Sequence, residues 1–167
     1  MTNKHLTFAI FGNSFQPRKS QSLMRVLDFL RSKEASIIFD RTFYDFLTAE
    51  QNQELGEVGT FEGDDFNADY VISMGGDGTF LKAAVRVGIK SIPLIGINMG
   101  RLGFLADVLP GEVETALQAV LEGNYNIEEH TAIQISTNGG DFDGCHYALN
   151  DIAVLKRDIA SMIGIHT

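Results

Sequence analysis

The chain has a single cysteine, Cys145. That excludes an internal disulfide and a cysteine-rich metal site, and it suits a reducing compartment, so a cytoplasmic location is expected. Basic residues are also scarce: 13 Lys and Arg stand against 22 Asp and Glu, a formal net charge of −9. Nucleic acids and anionic membranes select basic faces, and neither is expected as a partner. No apolar run is long enough to span a bilayer. The opening stretch MTNKHLTFAIFGN breaks at Gly12 without a secretory cleavage site and reads as a first strand. His5, His130, His146 and His166 show no metal-ligand spacing, and no metal-ligating residue is assigned. An anionic ligand would have to be received by main-chain N–H groups, a few cations or a metal brought with it. What is present is 167 residues, 44% hydrophobic and 21% charged, enough for one well-buried domain or for one domain and part of another.

The apolar pattern predicts an α/β fold, an open parallel sheet with flanking helices, over residues 1–109. LTFAIFGN (6–13) is a near-continuous apolar run closed by Gly and Asn, as a strand buried on both faces would be. After Pro17, Leu23, Val26, Leu27 and Leu30 recur at helical spacing. ASIIFD then reads as a strand, RTFYDFLTAEQ as a helix, and residues 56–67 as a polar, glycine-containing loop. DYVISMGG, TFLKAAVRVG and SIPLIGIN continue as strand, helix and strand. Four alternations point to parallel strands covered by helices. Phe43, Phe46 and Phe80 fall at helical positions and read as packing.

Residues 110–167 read as a linking helix and the first strands of a second, β-rich domain that is incomplete. PGEVETALQAVLEGN has Pro near its start, acids in its first turn and Gly123 past its end. HTAIQIST, CHYALNDIAVLKR and SMIGIHT follow as strands, the first two joined by the hairpin signal NGGDFDG. That acidic turn fails the spacing of a calcium loop. Cys145 reads as a small strand hydrophobe.

Three stretches could carry chemistry. In VISMGGDGTFLKAA (71–84) a strand leaves through Gly75 and Gly76, meets Asp77, Gly78 and Thr79, and enters a helix. Glycines there allow close approach of a ligand, and the helix start offers unpaired N–H groups, so a phosphate could be held without a basic side chain. Asp77 has two readings: a cap for its own helix, or the acceptor of a proton from a hydroxyl attacking a phosphoryl group. GINMGRLGFLADV (96–108) again leaves a strand through glycines, which would line the same crevice. Phe104 and Leu105 are expected in the core; Asn98, Gly100 and Gly103 are hard to explain by packing, and Arg101 could meet phosphate or water. Finally, Asn150 and Asp151 sit side by side in an apolar stretch, either holding a ribose or marking a bulge or edge strand facing water.

GGDGTFL (75–81), NMGRLGFL (98–105) and LND (149–151), in this order and spacing, resemble the NAD kinase family. The first motif alone is shared with diacylglycerol and sphingosine kinases and, more loosely, with phosphofructokinases. The resemblance covers essentially the whole chain. It implies a family-type N-terminal domain and ATP-dependent phosphorylation of the 2′-hydroxyl of the adenosine ribose of NAD, giving NADP, with Mg²⁺ or another divalent cation accompanying ATP. Asp77 would be the general base. Gly75, Gly76, Gly78, Thr79, Lys82 and Asn98 would belong to the substrate or nucleotide site, Asn150 and Asp151 would hold hydroxyls, and Ser161 falls at a further nucleotide-contacting position. Gly12, Asn13 and Arg18 would approach the phosphate donor. The family also assembles as dimers or tetramers whose subunits share the site. Two departures stand out: Asp151 replaces the usual Glu, and the family's later Gly-Asp-Gly turn and Thr-Pro-Ser/Thr-Gly-Ser-Thr stretch are missing from the 167 residues. The chain thus corresponds to the N-terminal portion of such an enzyme and is expected to be inactive alone. The competing readings are a lipid kinase built on the same glycine loop and a non-catalytic nucleotide-binding or oligomerisation module.

Overall fold

A computed structural model of the chain describes residues 5–13, 20–100, 103–136, 138 and 147–153. They fall into two compact units, residues 1–129 and 130–167, each treated by itself below.

The first unit is built on five parallel strands: β1 (Thr7–Gly12), β2 (Ser36–Asp40), β3 (Gly59–Phe61), β4 (Tyr70–Gly75) and β5 (Leu94–Asn98), in the order β3-β2-β1-β4-β5. Alternation along β1 assigns its two faces. Phe8 and Ile10 join Ile72 and Met74 of β4 under helix α1 (Ser20–Ser32), which inserts Leu23, Val26, Leu27 and Leu30. Ala9 and Phe11 join Val71 on the opposite face, under Ala83 and Val87 of helix α3 (Asp77–Val87). Both faces are covered, which is why the strands read as continuous apolar runs rather than as alternating ones. The expected strands and helices of this region are present. The segment 41–51 is split into a short helix α2 (Arg41–Asp45), capped by the Asp40 carboxylate accepting from the Phe43 N–H, and a π turn (Phe46–Glu50).

Two features differ from the sequence reading. The polar loop at 56–67 contains β3, an edge strand paired to β2; its three residues are too few for a periodic signal, and only Phe61 is buried. Helix α4 (Val113–Glu122) belongs to the first unit rather than to a domain starting at residue 110. Its Val113 and Leu117 are buried in the same cluster as the α1 stripe, and Arg25 of α1 pairs with Glu114 and donates to the Pro110 carbonyl. The amphipathic pattern that identifies the helix says nothing about which neighbour covers it. Gly123 ends α4 at φ 71°, a left-handed position that suits glycine.

In the second unit, β6 (Ile133–Gln134) pairs antiparallel with β7 (Tyr147–Ala148), the arrangement a hairpin requires. Both strands are much shorter than the stretches expected to form them. Residues 139–144 of the hairpin signal, Cys145 and the final stretch 161–167 lie outside the described residues. Among the described residues no helix is long and apolar enough to cross a membrane.

Because Leu117 is fully enclosed with α1, Leu117→Ala should destabilise the first unit by about 2–5 kcal/mol. Urea unfolding followed by circular dichroism measures this; an unchanged midpoint would show that α4 is not part of that core.

Candidate active site

In the strand order β3-β2-β1-β4-β5 the chain progresses outward from β1 in one direction and then returns to the other side of it as β4. That reversal opens a crevice beyond the carboxyl ends of β1 and β4, where open parallel sheets receive ligands. Gly12 ends β1 and Gly75 ends β4, so the glycine-rich exit at 75–79 stands at this point. A groove of about 730 Å³ between Leu6, Tyr70 and Gly123 opens at the amino ends of the same strands, away from these glycines. The geometry of the sheet favours the crevice at the carboxyl ends.

At its rim, Gly76 caps α3 in an extended conformation, and its carbonyl accepts from the Thr79 and Phe80 N–H groups. The N–H groups of Asp77 and Gly78 precede the first bond within the helix and have no acceptor inside it. A Cβ built on Gly76 or Gly78 would meet nothing within 4 Å, so packing does not require glycine at either position. Gly75 is different: a side chain there would collide with Thr79, which is itself buried. Lys82 follows one turn along α3 and is exposed.

Asp77 does not cap its own helix. Its carboxylate crosses to the segment returning from β5, where Oδ2 accepts from the Phe104 N–H at 2.9 Å and Oδ1 accepts from Leu105 at 3.0 Å and Ala106 at 3.1 Å. These three hydrogen bonds stabilise the ionised form, led by that from Phe104, and hold the carboxyl below its ordinary value of 3.8. A carboxylate offers about four lone-pair positions. Among the described residues Oδ2 has one partner and Oδ1 two, so Oδ2 is the oxygen with more capacity to accept another donor.

The same segment is held from its other side by Asn98. This side chain is 1% exposed; it donates to the Ala106 carbonyl at 3.2 Å and accepts from the Gly100 N–H at 2.7 Å. Main-chain bonds between Asn98 and Val108 and between Val108 and Gly96 close the segment as a parallel bridge beside β5. Asn98, expected at the nucleotide site, thus has its amide committed to the loop and acts on the crevice through it. Phe104 corrects the expectation of a core residue: it is 99% exposed, because its N–H is turned inward to Asp77, while Leu105 is half-buried and Ala106 is the buried residue of the three.

The structure brings Asp77, Gly75, Gly76, Gly78, Thr79 and Lys82 to one strand-to-helix turn and ties that turn to the loop that starts at Asn98. In the second unit, Asn150 and Asp151 lie beyond the short β7, both exposed, with Asn150 Nδ2 donating to Asp151 Oδ1 at 2.8 Å. They do not stand in mid-strand as expected. Arg18, Arg101 and Ser161 fall outside the described residues. Sequence reasoning missed the three N–H groups of residues 104–106, which no side-chain pattern encodes; the signal nearest to them was the unexplained Gly103.

Fold and crevice together define a doubly wound α/β domain with a switch point at the carboxyl ends of β1 and β4. Residues 8–125 match the family model described as the ATP-NAD kinase N-terminal domain, and the chain belongs to that family. It is 46% identical over 162 residues to an NAD kinase of Bacteroides fragilis, covering 97% of this chain and 56% of the relative. It is 34% identical over 158 residues to an NAD kinase of Porphyromonas gingivalis, covering 95% of this chain and 54% of the relative. The chain therefore spans about half the length of the curated relatives it matches. Its fold is also similar to that of yeast NADH kinase solved with NADH, with a TM-score of 0.69 at 17% identity over 87% of this chain and 47% of that one.

Since the folded-state pKa of Asp77 lies below its ordinary value, the carboxylate contributes stability above the ordinary range and loses it as pH falls through the depressed value. Thermal unfolding followed from neutral pH to about pH 3 should show a shallower acid loss in Asp77→Asn than in the parent chain. Equal slopes would contradict the assignment of the three hydrogen bonds.

Proposed function

We propose that the protein of which this chain forms the nucleotide-type domain is an NAD kinase, transferring the γ-phosphoryl group of ATP to the 2′-hydroxyl of the adenosine ribose of NAD. The observation that carries this reading is the Asp77 carboxylate at the switch-point crevice, accepting from three main-chain N–H groups with one of them on Oδ2 among the described residues, next to two glycines whose side-chain space is open. The 2′-oxygen attacks the γ-phosphorus, the bond from that phosphorus to the bridging oxygen breaks, ADP leaves, and the hydroxyl proton passes to Asp77. A carboxylate held at low pKa is a weak base. In phosphoryl transfer through a loose transition state, however, positioning the hydroxyl matters more than early deprotonation. Asp77 orients the hydroxyl first and takes the proton late.

The open N–H groups at the start of α3 would receive phosphate oxygens, and Lys82 would supply a cation one turn on. A divalent cation enters this scheme as part of the ATP complex, where it would neutralise phosphate charge. The exposed Phe104 ring offers an apolar surface beside Asp77. Asn150, Asp151 and Ser161 are proposed as hydroxyl- and nucleotide-holding residues of the second unit, within a larger β-rich domain. Association as a dimer or tetramer, and a cytoplasmic location, belong to the same reading of the whole protein.

Asp77→Asn in the complete enzyme should lower kcat by about 10²–10⁴-fold while calorimetry still detects NAD binding. Retained turnover would remove Asp77 from the proton transfer.

A further inference from the structure

Gly103 stands where the Asp77 carboxylate meets the loop. A Cβ built on it would lie 2.5 Å from Asp77 Cγ and 2.6 Å from Oδ2, with Oδ1 closer still. No other atom is as near, and the backbone of Gly103 is not in the left-handed region, so an alanine there is not strained by its own conformation. The three atoms nearest to that Cβ all belong to Asp77, and they are the far end of a flexible side chain. A Cβ there meets the carboxylate, which can turn away by rotating its own side chain.

We propose that Gly103 is a positioning residue: by lacking a side chain it admits the Asp77 carboxylate to the N–H groups of residues 104–106, and the seated carboxylate fixes that segment over the crevice. The latch stands on the geometry alone; only its consequence for turnover rests on the kinase reading. Among the described residues no charged side chain acts on the Asp77 carboxyl. Lys82 on the same helix and Asp107 in the returning segment are both exposed.

Amide hydrogen exchange by NMR on this chain, without NAD or ATP, tests the latch in Gly103→Ala, Asp77→Ala and the double variant. The Phe104, Leu105 and Ala106 amides should each exchange about tenfold faster or more in either single variant, as expected on losing a charge-assisted hydrogen bond. The double variant should exchange no faster than Asp77→Ala, because the clash needs the carboxylate. In Gly103→Ala the Asp77 carboxyl should titrate closer to its ordinary value, as loss of its three N–H donors requires, and the absence of any further effect in the double variant distinguishes expulsion of the carboxylate from general loosening of the loop. Gly111→Ala, at a glycine whose Cβ would meet nothing within 4 Å, serves as the control and should leave the three amides protected. Unchanged protection and titration in Gly103→Ala, or additive effects in the double variant, would overturn the proposal. Should Gly103→Ala not fold, Asp77→Ala decides alone, and amides that remain protected in it refute the latch. That failure would leave the kinase reading intact, whereas an Asp77→Asn enzyme with full turnover would remove the base and leave the latch.

Discussion

The carboxylate of Asp77 joins the first turn of α3 to the residues that return from β5, and the described crevice is organised around that bond set. Main-chain N–H groups need acceptors, from the protein or from water. Residues 104–106 run past the end of the sheet, where no strand supplies carbonyls, and the carboxylate takes the place of a missing strand partner. Asn98 does complementary work, donating to the Ala106 carbonyl and accepting from the Gly100 N–H. These two polar side chains act together with the main-chain bridge at Val108 to fix the segment.

The arrangement explains an apparent contradiction in the chemistry. A phosphate-receiving turn is an odd place for a negative side chain, because the two anions would repel. Here the Asp77 carboxylate accepts from three N–H groups of the returning segment rather than from those of its own helix, which leaves the N–H groups at the start of α3 to an incoming anion. Acid and anion site are adjacent but served by different donors. A carboxylate so held needs little reorganisation when a hydroxyl arrives, which is how prearranged polar groups contribute to catalysis.

Most of the first unit was legible in the sequence because its helical stripe and its continuous apolar runs are both strong. The α1 stripe at Leu23, Val26, Leu27 and Leu30 and the buried strands ending at Gly12, Gly75 and Asn98 fall where the pattern puts them. What was not legible depended on tertiary neighbours. Three residues of β3 carry no period; the partner of α4 is set by Val113 and Leu117 meeting α1 across the fold; and Phe104 looks like a core residue until its N–H is seen turned toward Asp77. Asp77 itself was read as either a cap or a base. The structure removes the first option and adds a structural duty that neither reading contained. Asn150 and Asp151 were read as a mid-strand pair, whereas they follow a strand of two residues and bond to each other.

The central claim is that the switch-point crevice presents Asp77 to the hydroxyl that is phosphorylated. A crystal structure of the complete protein with NAD tests it most directly. The account predicts the adenosine 2′-oxygen within about 3.2 Å of Asp77 Oδ2, with the N–H bonds from residues 104–106 still in place. NAD bound with its 2′-hydroxyl turned away from Asp77, or seated at the amino ends of the strands, would contradict it.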